Sequence, residues 1–178
     1  MSTPITHLGE LNACESAVAW VKSTKCRSLE TAWRKCDRGD WMLWYTGKKS
    51  GPVGDERRKK LVLAACECAR LALPTWRKRY PDDKRVKDCI DTAEKWARNE
   101  ATLEALKVSR RNCAYTAAAA SAAAAYAADA ADAADAAYAA YAAYAVTSAA
   151  DADAVRTKTL ARMAKIVRKH YPTPPRMR

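Results

Sequence analysis

Apolar residues recur along most of the chain at intervals of three and four positions, which places them on one face of an α-helix. No stretch alternates apolar and polar residues beyond about five positions, as a half-buried strand would. The pattern therefore predicts an all-α fold, a compact multi-helix bundle of about seven helices. The predicted helices cover approximately 9–22, 29–38, 40–47, 56–73, 83–98, 102–146 and 148–170.

Residues at the ends of these segments predict where helices begin and end. We expect N-caps at Ser28, Asp40 and Asp55. Gly39 is expected to end the second helix in the left-handed conformation, and Asn99 is expected to follow the end of the fifth. Pro74 is expected to end the fourth helix, so that residues 76–81 form a basic connector.

An alanine-rich tract covers residues 113–150 and contains neither glycine nor proline. Alanine is the strongest helix former, so we expect this tract to be a central helix around which the others pack. One helix over 102–146 would be about 67 Å long, whereas a compact chain of this size is about 40 Å across. We therefore expect a break around 109–112, or else an elongated bundle. The tract places Asp129, Asp132 and Asp135 on one arc and Tyr138, Tyr141 and Tyr144 on the opposite arc.

The length of 178 residues and the hydrophobic fraction of 49% suit a single all-helical domain over residues 1–178. Residues 48–54 contain two glycines and a proline, and residues 47–55 are expected to form a flexible loop. Residues 171–178 follow the last helix and are expected to be a frayed tail.

The net charge of +12 is compatible with a nucleic acid, with an acidic protein partner, or with solubility alone. Basic residues cluster at 57–60, at 77–87 and along the last helix, where every charged residue after Val155 is positive. Trp76 and Tyr80 accompany the second cluster and could stack on a base. The candidate partner-binding residues are Arg77, Lys78, Arg79, Lys84, Arg85, Arg162, Lys165 and Lys169.

The seven cysteines lie at core spacing and are expected to be buried, reduced thiols in a cytoplasmic protein. Cys66 and Cys68 diverge by about 160° on a helix and cannot both ligate one metal ion. We expect neither a metal nor a cofactor. No catalytic Ser/His/Asp or Cys/His set and no glycine-rich phosphate loop stands out, so the sequence does not favour an enzyme. The three aspartates of the alanine-rich tract argue against a membrane span.

Three motifs, at 32–44, 61–74 and 93–104, precede the alanine-rich tract in a specific order. Their residues include Ala32, Trp33, Cys36, Arg38, Gly39, Asp40, Trp41, Leu43, Trp44, Leu61, Cys66, Cys68, Arg70, Pro74, Ala93, Glu94, Trp96, Ala97, Glu100 and Thr102. Over residues 11–146 the chain resembles the bacterial and phage proteins labelled "putative immunity protein". The basic last helix is less typical of that family.

The resemblance implies a protein that binds and neutralises a partner, and it carries no catalytic residues over to this chain. Our leading hypothesis is a non-catalytic inhibitor of the immunity or phage anti-defence type, which would occlude an acidic effector sterically. A nucleic-acid or nucleotide-binding protein that uses the basic clusters is the main alternative. A small-ligand pocket between helices is a third possibility.

Overall fold

The structure is a computed structural model that describes residues 3–114 and 153–176. Every regular element in these two ranges is helical, so the predicted all-α fold class is confirmed. The helices are α1 (Pro4–Glu10), α2 (Glu15–Ser23), α3 (Leu29–Lys35), α4 (Gly39–Gly47), α5 (Glu56–Ala69), α6 (Leu73–Arg79), α7 (Arg85–Ala97), α8 (Leu103–Ala114) and α9 (Asp153–His170). A 3₁₀ turn, Arg70–Ala72, joins α5 to α6.

The hydrophobic core forms where α5 meets α4, α7 and α9, and α7 in turn packs against α8. Its completely buried side chains include Leu43, Leu61, Ile90, Met163 and Val167. Burying an aliphatic side chain of this size contributes roughly 1.5–3 kcal/mol. The predicted central position of the alanine-rich tract concerns residues 115–150, which lie outside the described part of the chain.

The crossing of α4 and α9 depends on a glycine. A Cβ atom added to Gly39 would lie 2.4 Å from Met163 Cβ and 2.6 Å from the backbone nitrogen of Ala164. Gly39 is the first residue of α4 and does not have a positive φ angle. The prediction that it ends the preceding helix in the left-handed conformation is therefore wrong, and its role is to let two helices approach closely.

The predicted helix caps have a mixed outcome. Ser28 accepts a hydrogen bond from the Thr31 amide at 3.1 Å, and Asp55 accepts one from the Arg57 amide at 2.8 Å, so both N-caps are confirmed. Asn99 has a φ of 65° and follows α7, as predicted. Asp40 is not a cap, because Arg38 occupies the N-cap position of α4 and the Asp40 carboxylate pairs with its guanidinium.

Three helix boundaries differ from the prediction. The first predicted helix is two helices, because Asn12 adopts a φ of 57° between α1 and α2. Residues 76–79 are helical, since Pro74 lies in the first turn of α6, where its missing amide hydrogen costs little. The break expected at 109–112 is absent, because α8 runs through these positions to Ala114.

The carboxyl-terminal segment packs against the bundle over residues 171–176; the fraying expected for residues 171–178 stays a prediction, and these contacts do not favour it. Tyr171 is buried, and its carbonyl oxygen accepts a 2.9 Å hydrogen bond from the buried Trp33 indole. The Tyr45 hydroxyl donates to the Pro175 carbonyl oxygen at 3.4 Å. Residues 171–176 are thus attached to α3 and α4, and Met177 and Arg178 lie outside the described residues.

The loop between α4 and α5 contains buried residues. Lys49 and Ser50 are buried, and the Ser50 hydroxyl donates to the Gly47 carbonyl oxygen at 2.9 Å. Arg58, itself buried on α5, donates through Nε to the Gly51 carbonyl oxygen at 2.9 Å. The flexibility expected for residues 47–55 stays a prediction, and these hydrogen bonds do not favour it.

Candidate functional site

Four basic side chains form a straight row on α9, which we call the cationic stripe. Its members, spaced by four, three and four residues, are Lys158, Arg162, Lys165 and Lys169. On a helix with 100° between successive residues, this spacing confines them to an arc of about 60°. All four are exposed, whereas Leu160, Met163 and Val167 are buried on the opposite face. The stripe extends for about 16 Å along the helix axis.

The buried face of α9 holds the cationic stripe in a fixed position. The Arg168 guanidinium donates through Nη1 to the carbonyl oxygens of Trp33 at 3.2 Å and Cys36 at 2.7 Å. These carbonyls lie at the end of α3, where a cation satisfies acceptors that the helix leaves open. Together with the close contact at Gly39, these bonds attach α9 to α3 and α4 and limit its movement.

One end of the stripe is partly neutralised by a carboxylate on α5. Glu67 accepts from Lys169 Nζ at 2.9 Å and lies 2.8 Å from His170 Nε2. Burial of Glu67 opposes ionisation, but the bonds to Lys169 and His170 outweigh burial and lower the pKa of its carboxyl group. Lys169 is therefore partly structural, and Lys158, Arg162 and Lys165 carry most of the stripe's available charge.

The second predicted set of binding residues lies where α6 leads into α7, and we call it the α6–α7 cluster. It consists of Arg77, Lys78, Arg79, Lys84 and Arg85. Four of these side chains are exposed, and that of Arg79 lies outside the described part, as does that of Trp76. Arg85 pairs with Asp83 at 2.7 Å and lowers the pKa of that carboxyl group. Tyr80 is 39% exposed beside them.

The third predicted basic cluster, at residues 57–60, is largely committed to contacts within the protein. Arg57 pairs with Asp55 at 2.7 Å, and Lys59 pairs with Glu56 at 2.6 Å. The Lys60 ammonium lies 4.9 Å from the centre of the Tyr171 ring. These contacts stabilise the start of α5 and leave this cluster less suited to a partner.

A surface groove between α2, α3 and α4 was not predicted from the sequence, and we call it the aromatic groove. Its volume is about 540 Å³. Trp20, Trp41 and Trp44 are half-buried in its walls, and Trp33 and Met42 are buried among its lining residues. Trp20 meets Trp41 edge to face, with ring centres 6.1 Å apart. Such contacts restrain both rings and keep their remaining surface available.

Two cationic side chains that line the aromatic groove lie over tryptophan rings. The Arg38 guanidinium stacks over the Trp41 ring at 4.1 Å and donates to Asp40 through Nε at 2.9 Å and Nη2 at 2.6 Å. The hydrogen bond to Asp40 raises the pKa of Arg38 and keeps it charged. Lys48 Nζ lies 6.0 Å from the centre of the Trp44 ring.

The cysteine side chains that the structure describes are those of Cys14, Cys26, Cys36, Cys66, Cys68 and Cys89, and all except Cys14 are buried. The prediction of buried thiols is confirmed for those five. Burial raises the pKa of Cys36 to about 11 and raises those of Cys66 and Cys68 further. Within residues 3–114 and 153–176, no three His, Cys, Asp or Glu side chains lie close enough together to hold a metal ion.

No helix in the described ranges is both long enough and apolar enough to cross a bilayer.

The structure thus brings the α9 candidates together, because Arg162, Lys165 and Lys169 share one exposed face with Lys158. The α6–α7 candidates lie close together through chain connectivity alone, within nine residues of sequence. The aromatic groove was missed because its residues come from four segments with no common periodicity. The sequence did contain one signal for the groove. Large apolar residues lie on all sides of α4, and a helix of nine residues cannot bury all of them, so some of its large side chains, here Trp41 and Trp44, stay partly exposed.

Comparison with known protein families gives a match over most of the chain. A family model described as "Imm-5 like putative immunity protein" matches residues 51–169, which contain α5 to α8 and all of α9 except its last residue. No curated protein and no solved structure matches the chain. The match begins later than the resemblance drawn from the sequence and includes the basic last helix, which we had considered less typical.

Proposed function

Because the chain belongs to the family described as "Imm-5 like putative immunity protein", we propose that it is a non-catalytic inhibitor that binds and neutralises an effector protein. The observation that carries this proposal is the cationic stripe, which lies on a helix inside the matched stretch and faces away from the core. An inhibitor of this kind needs a stable surface that covers a functional site on its partner. It does not need a reactive centre of its own.

The charge of the stripe indicates the kind of surface it binds. The three available cations, Lys158, Arg162 and Lys165, lie at fixed spacing on one helix and complement an acidic surface about 10 Å long. Complementary charge raises the association rate and excludes partners of the wrong sign. The partner's contact surface is therefore acidic, and the bound chain blocks access to it sterically.

Isolation of the partner is the first test. The purified chain is immobilised and exposed to a lysate of its native host. A triple variant, which we call the stripe variant, is treated in parallel and carries Lys158→Glu, Arg162→Glu and Lys165→Glu. A protein retained by the wild type and released by the variant is then purified, and its activity is assayed with and without the chain. Inhibition at near-equal molar amounts supports the proposal, and capture without any inhibition would contradict it.

A control triple variant separates the stripe from net charge. This control, which we call the α6–α7 variant, carries Arg77→Glu, Lys78→Glu and Lys84→Glu. It also replaces three exposed cations by anions, so both triple variants lower the net charge from +12 to about +6. If the stripe is the site, only its own variant loses the partner. Equal losses in both variants would mean that general charge, and not this surface, attracts the partner.

Nucleic-acid binding is the second candidate, because Tyr80 is exposed beside the cations of the α6–α7 cluster. An aromatic ring among cations can stack on an unpaired base while the cations contact phosphates. A mobility-shift titration with single-stranded and double-stranded DNA and RNA at physiological salt tests this candidate. Tight binding that falls steeply with salt concentration, and that the α6–α7 variant removes, would favour it over the protein partner.

A further inference from the structure

The aromatic groove is built outside the stretch that the family model matches. Its lining residues lie between Leu8 and Lys48, whereas the match begins at residue 51. The groove nevertheless connects directly to the matched part, because α4 carries Trp41 and Trp44 on one side and contacts α9 through Gly39. The chain thus holds a preformed surface site next to the shared helices that the family match does not account for.

The size and lining of the groove suit bulky apolar groups. A volume of about 540 Å³ lies within the range of roughly 300–1,000 Å³ that is typical of ligand pockets. Its walls expose parts of Trp20, Trp41 and Trp44, and partly exposed tryptophans around a depression are typical of binding hot spots. The floor is already packed, so a ligand would meet a formed surface and the protein would lose little conformational entropy on binding.

Arg38 supplies a polar anchor at the edge of the groove. A guanidinium has five N–H donors, of which Asp40 uses one on Nε and one on Nη2. In the described part of the chain, the Arg38 guanidinium donates to no residue other than Asp40, and the Arg38 side chain is 41% exposed. The remaining donors can form charge-assisted hydrogen bonds with a carboxylate placed beside Trp41. Lys48 adds a second positive charge near Trp44.

We propose that the aromatic groove binds a segment of a partner protein in which bulky apolar side chains are flanked by acidic residues. The apolar side chains contact Trp20, Trp41 and Trp44, and an acidic residue binds the outer edge of Arg38. This proposal rests on the proposed function, from which it takes the partner to be a protein. It adds a second contact, which the cationic stripe does not supply. Charge attracts the partner, and the groove recognises an apolar segment within it.

The test uses the full chain labelled with 5-fluorotryptophan, and acetyl-Leu-Asp-Trp-Glu-amide as the probe. Fluorine resonances are assigned by replacing each tryptophan with phenylalanine in turn. We expect the resonances of Trp20, Trp41 and Trp44 to shift in a saturable way, with a dissociation constant on the order of 0.1–1 mM for so short a peptide. The resonance of Trp96, which is buried and does not line the groove, should change little.

A matched peptide and a matched variant test the acidic preference. Acetyl-Leu-Lys-Trp-Lys-amide should bind about tenfold more weakly, because its cations face Arg38 and Lys48. Arg38→Gln should weaken the acidic peptide about tenfold and remove most of the difference between the two peptides. The comparison of peptides on the wild-type chain needs no variant, so it holds even if Arg38→Gln folds poorly.

Several results would overturn the proposal. One is that the three resonances stay unchanged up to about 5 mM peptide, a concentration above the largest dissociation constant expected. A second is that the two peptides bind equally, or that N-acetyl-tryptophan binds as tightly as the acidic peptide, which would identify a small-molecule pocket. A third is that acrylamide fails to quench Trp20 and Trp41 in the isolated chain, which would mean that another segment of the chain fills the groove.

The peptide test and the effector test fail independently. If the acidic peptide does not bind but an effector is captured and inhibited through the stripe, the groove proposal fails and the proposed function stands. If the peptide binds the groove but no captured protein is inhibited, the proposed function fails and the groove serves a protein partner of another kind.

Discussion

Gly39 illustrates how one residue controls the contact between two helices. With hydrogen in place of a side chain, α4 lies directly against Met163 and Ala164 of α9. A larger residue would have to displace backbone atoms, because the nearest neighbours are a Cβ and an amide nitrogen rather than the mobile end of a side chain. The position of the cationic stripe relative to the aromatic groove depends on this contact.

Gly39→Ala is therefore expected to destabilise the protein by about 1–3 kcal/mol, the usual cost of overpacking. Gly9→Ala is the matched control, because nothing lies within 4 Å of a Cβ at that position in α1. The control should be neutral or stabilising by up to about 1 kcal/mol, since alanine favours a helix. Urea unfolding followed by circular dichroism measures both. Equal midpoints for Gly39→Ala and the wild type would contradict the close contact.

Cys36 provides a second test at the scale of one residue. Burial raises the pKa of its thiol from 9.0 to about 11, with the Arg38 backbone hydrogen bond acting in the opposite direction. At pH 8 the thiolate fraction of Cys36 should thus be about one hundredth of that in the unfolded chain. Iodoacetamide labelling with mass-spectrometric mapping should show at least this ratio between native and urea-unfolded protein. Comparable labelling of Cys36 in both states would disprove its burial.

At the scale of the helices, the end of α7 is fixed by a left-handed residue. The amide of Asn99 bonds to the Trp96 carbonyl oxygen at 3.0 Å, and that of Glu100 bonds to the Lys95 carbonyl oxygen at 2.8 Å. This pair of bonds is the Schellman arrangement, which requires a positive φ at the first of the two donors, here Asn99. Asparagine tolerates this conformation better than other residues with a Cβ atom.

Asn99→Val is expected to cost about 1–2 kcal/mol, because a β-branched residue is strained in the left-handed region. Asn99→Gly is the control, since both variants lose the 2.7 Å hydrogen bond from Lys59 to the Asn99 side chain but glycine keeps the backbone conformation. Chemical denaturation should place the glycine variant near the wild type and the valine variant well below it. A valine variant as stable as the glycine variant would argue against this helix end.

The junction of α5 and α9 should make stability depend on pH through Glu67. Its folded pKa is lowered by Lys169 and His170 despite burial, so its contribution is present above the unfolded pKa of 4.5 and disappears as the pH falls further. Glu67→Gln should cost up to about 1 kcal/mol at pH 7 and less at pH 3, because the contribution declines as the pH falls below 4.5. Urea unfolding at both pH values measures this difference. A gap between wild type and variant that is unchanged at pH 3 would contradict the assignment.

At the scale of the whole molecule, the parts that could be predicted from the sequence are those set by local chemistry. Ser28, Asp55 and Asn99 could be assigned to helix ends because their effect depends on neighbouring backbone groups. The role of Gly39 could not, because it depends on contact with Met163, more than a hundred residues later. The aromatic groove was missed for the same reason, since its walls come from separate helices and the sequence alone does not place them together.

Charge distribution is the other property of the whole molecule that bears on function. Basic residues at 57–60 pair within the bundle, whereas Lys158, Arg162 and Lys165 of the cationic stripe are exposed and, within the described part of the chain, only Lys169 pairs with a carboxylate of the bundle. The net charge of +12 is a sum over the whole chain, so it does not show that the three basic clusters differ in how many of their cations are already paired. The predicted binding residues of α9 share one exposed face, and their role in binding stays a prediction. The basic residues of the α6–α7 cluster provide the control variant in the tests of the cationic stripe.

The central claim is that the chain neutralises an effector protein through the cationic stripe. The most direct measurement is the effector's activity titrated with the wild-type chain, the stripe variant and the α6–α7 variant. We predict loss of activity at near-equal molar amounts of wild type, a similar curve for the α6–α7 variant, and at least a tenfold higher requirement for the stripe variant, as expected when charged contacts are reversed. Overlapping curves for the stripe variant and the wild type would contradict the account.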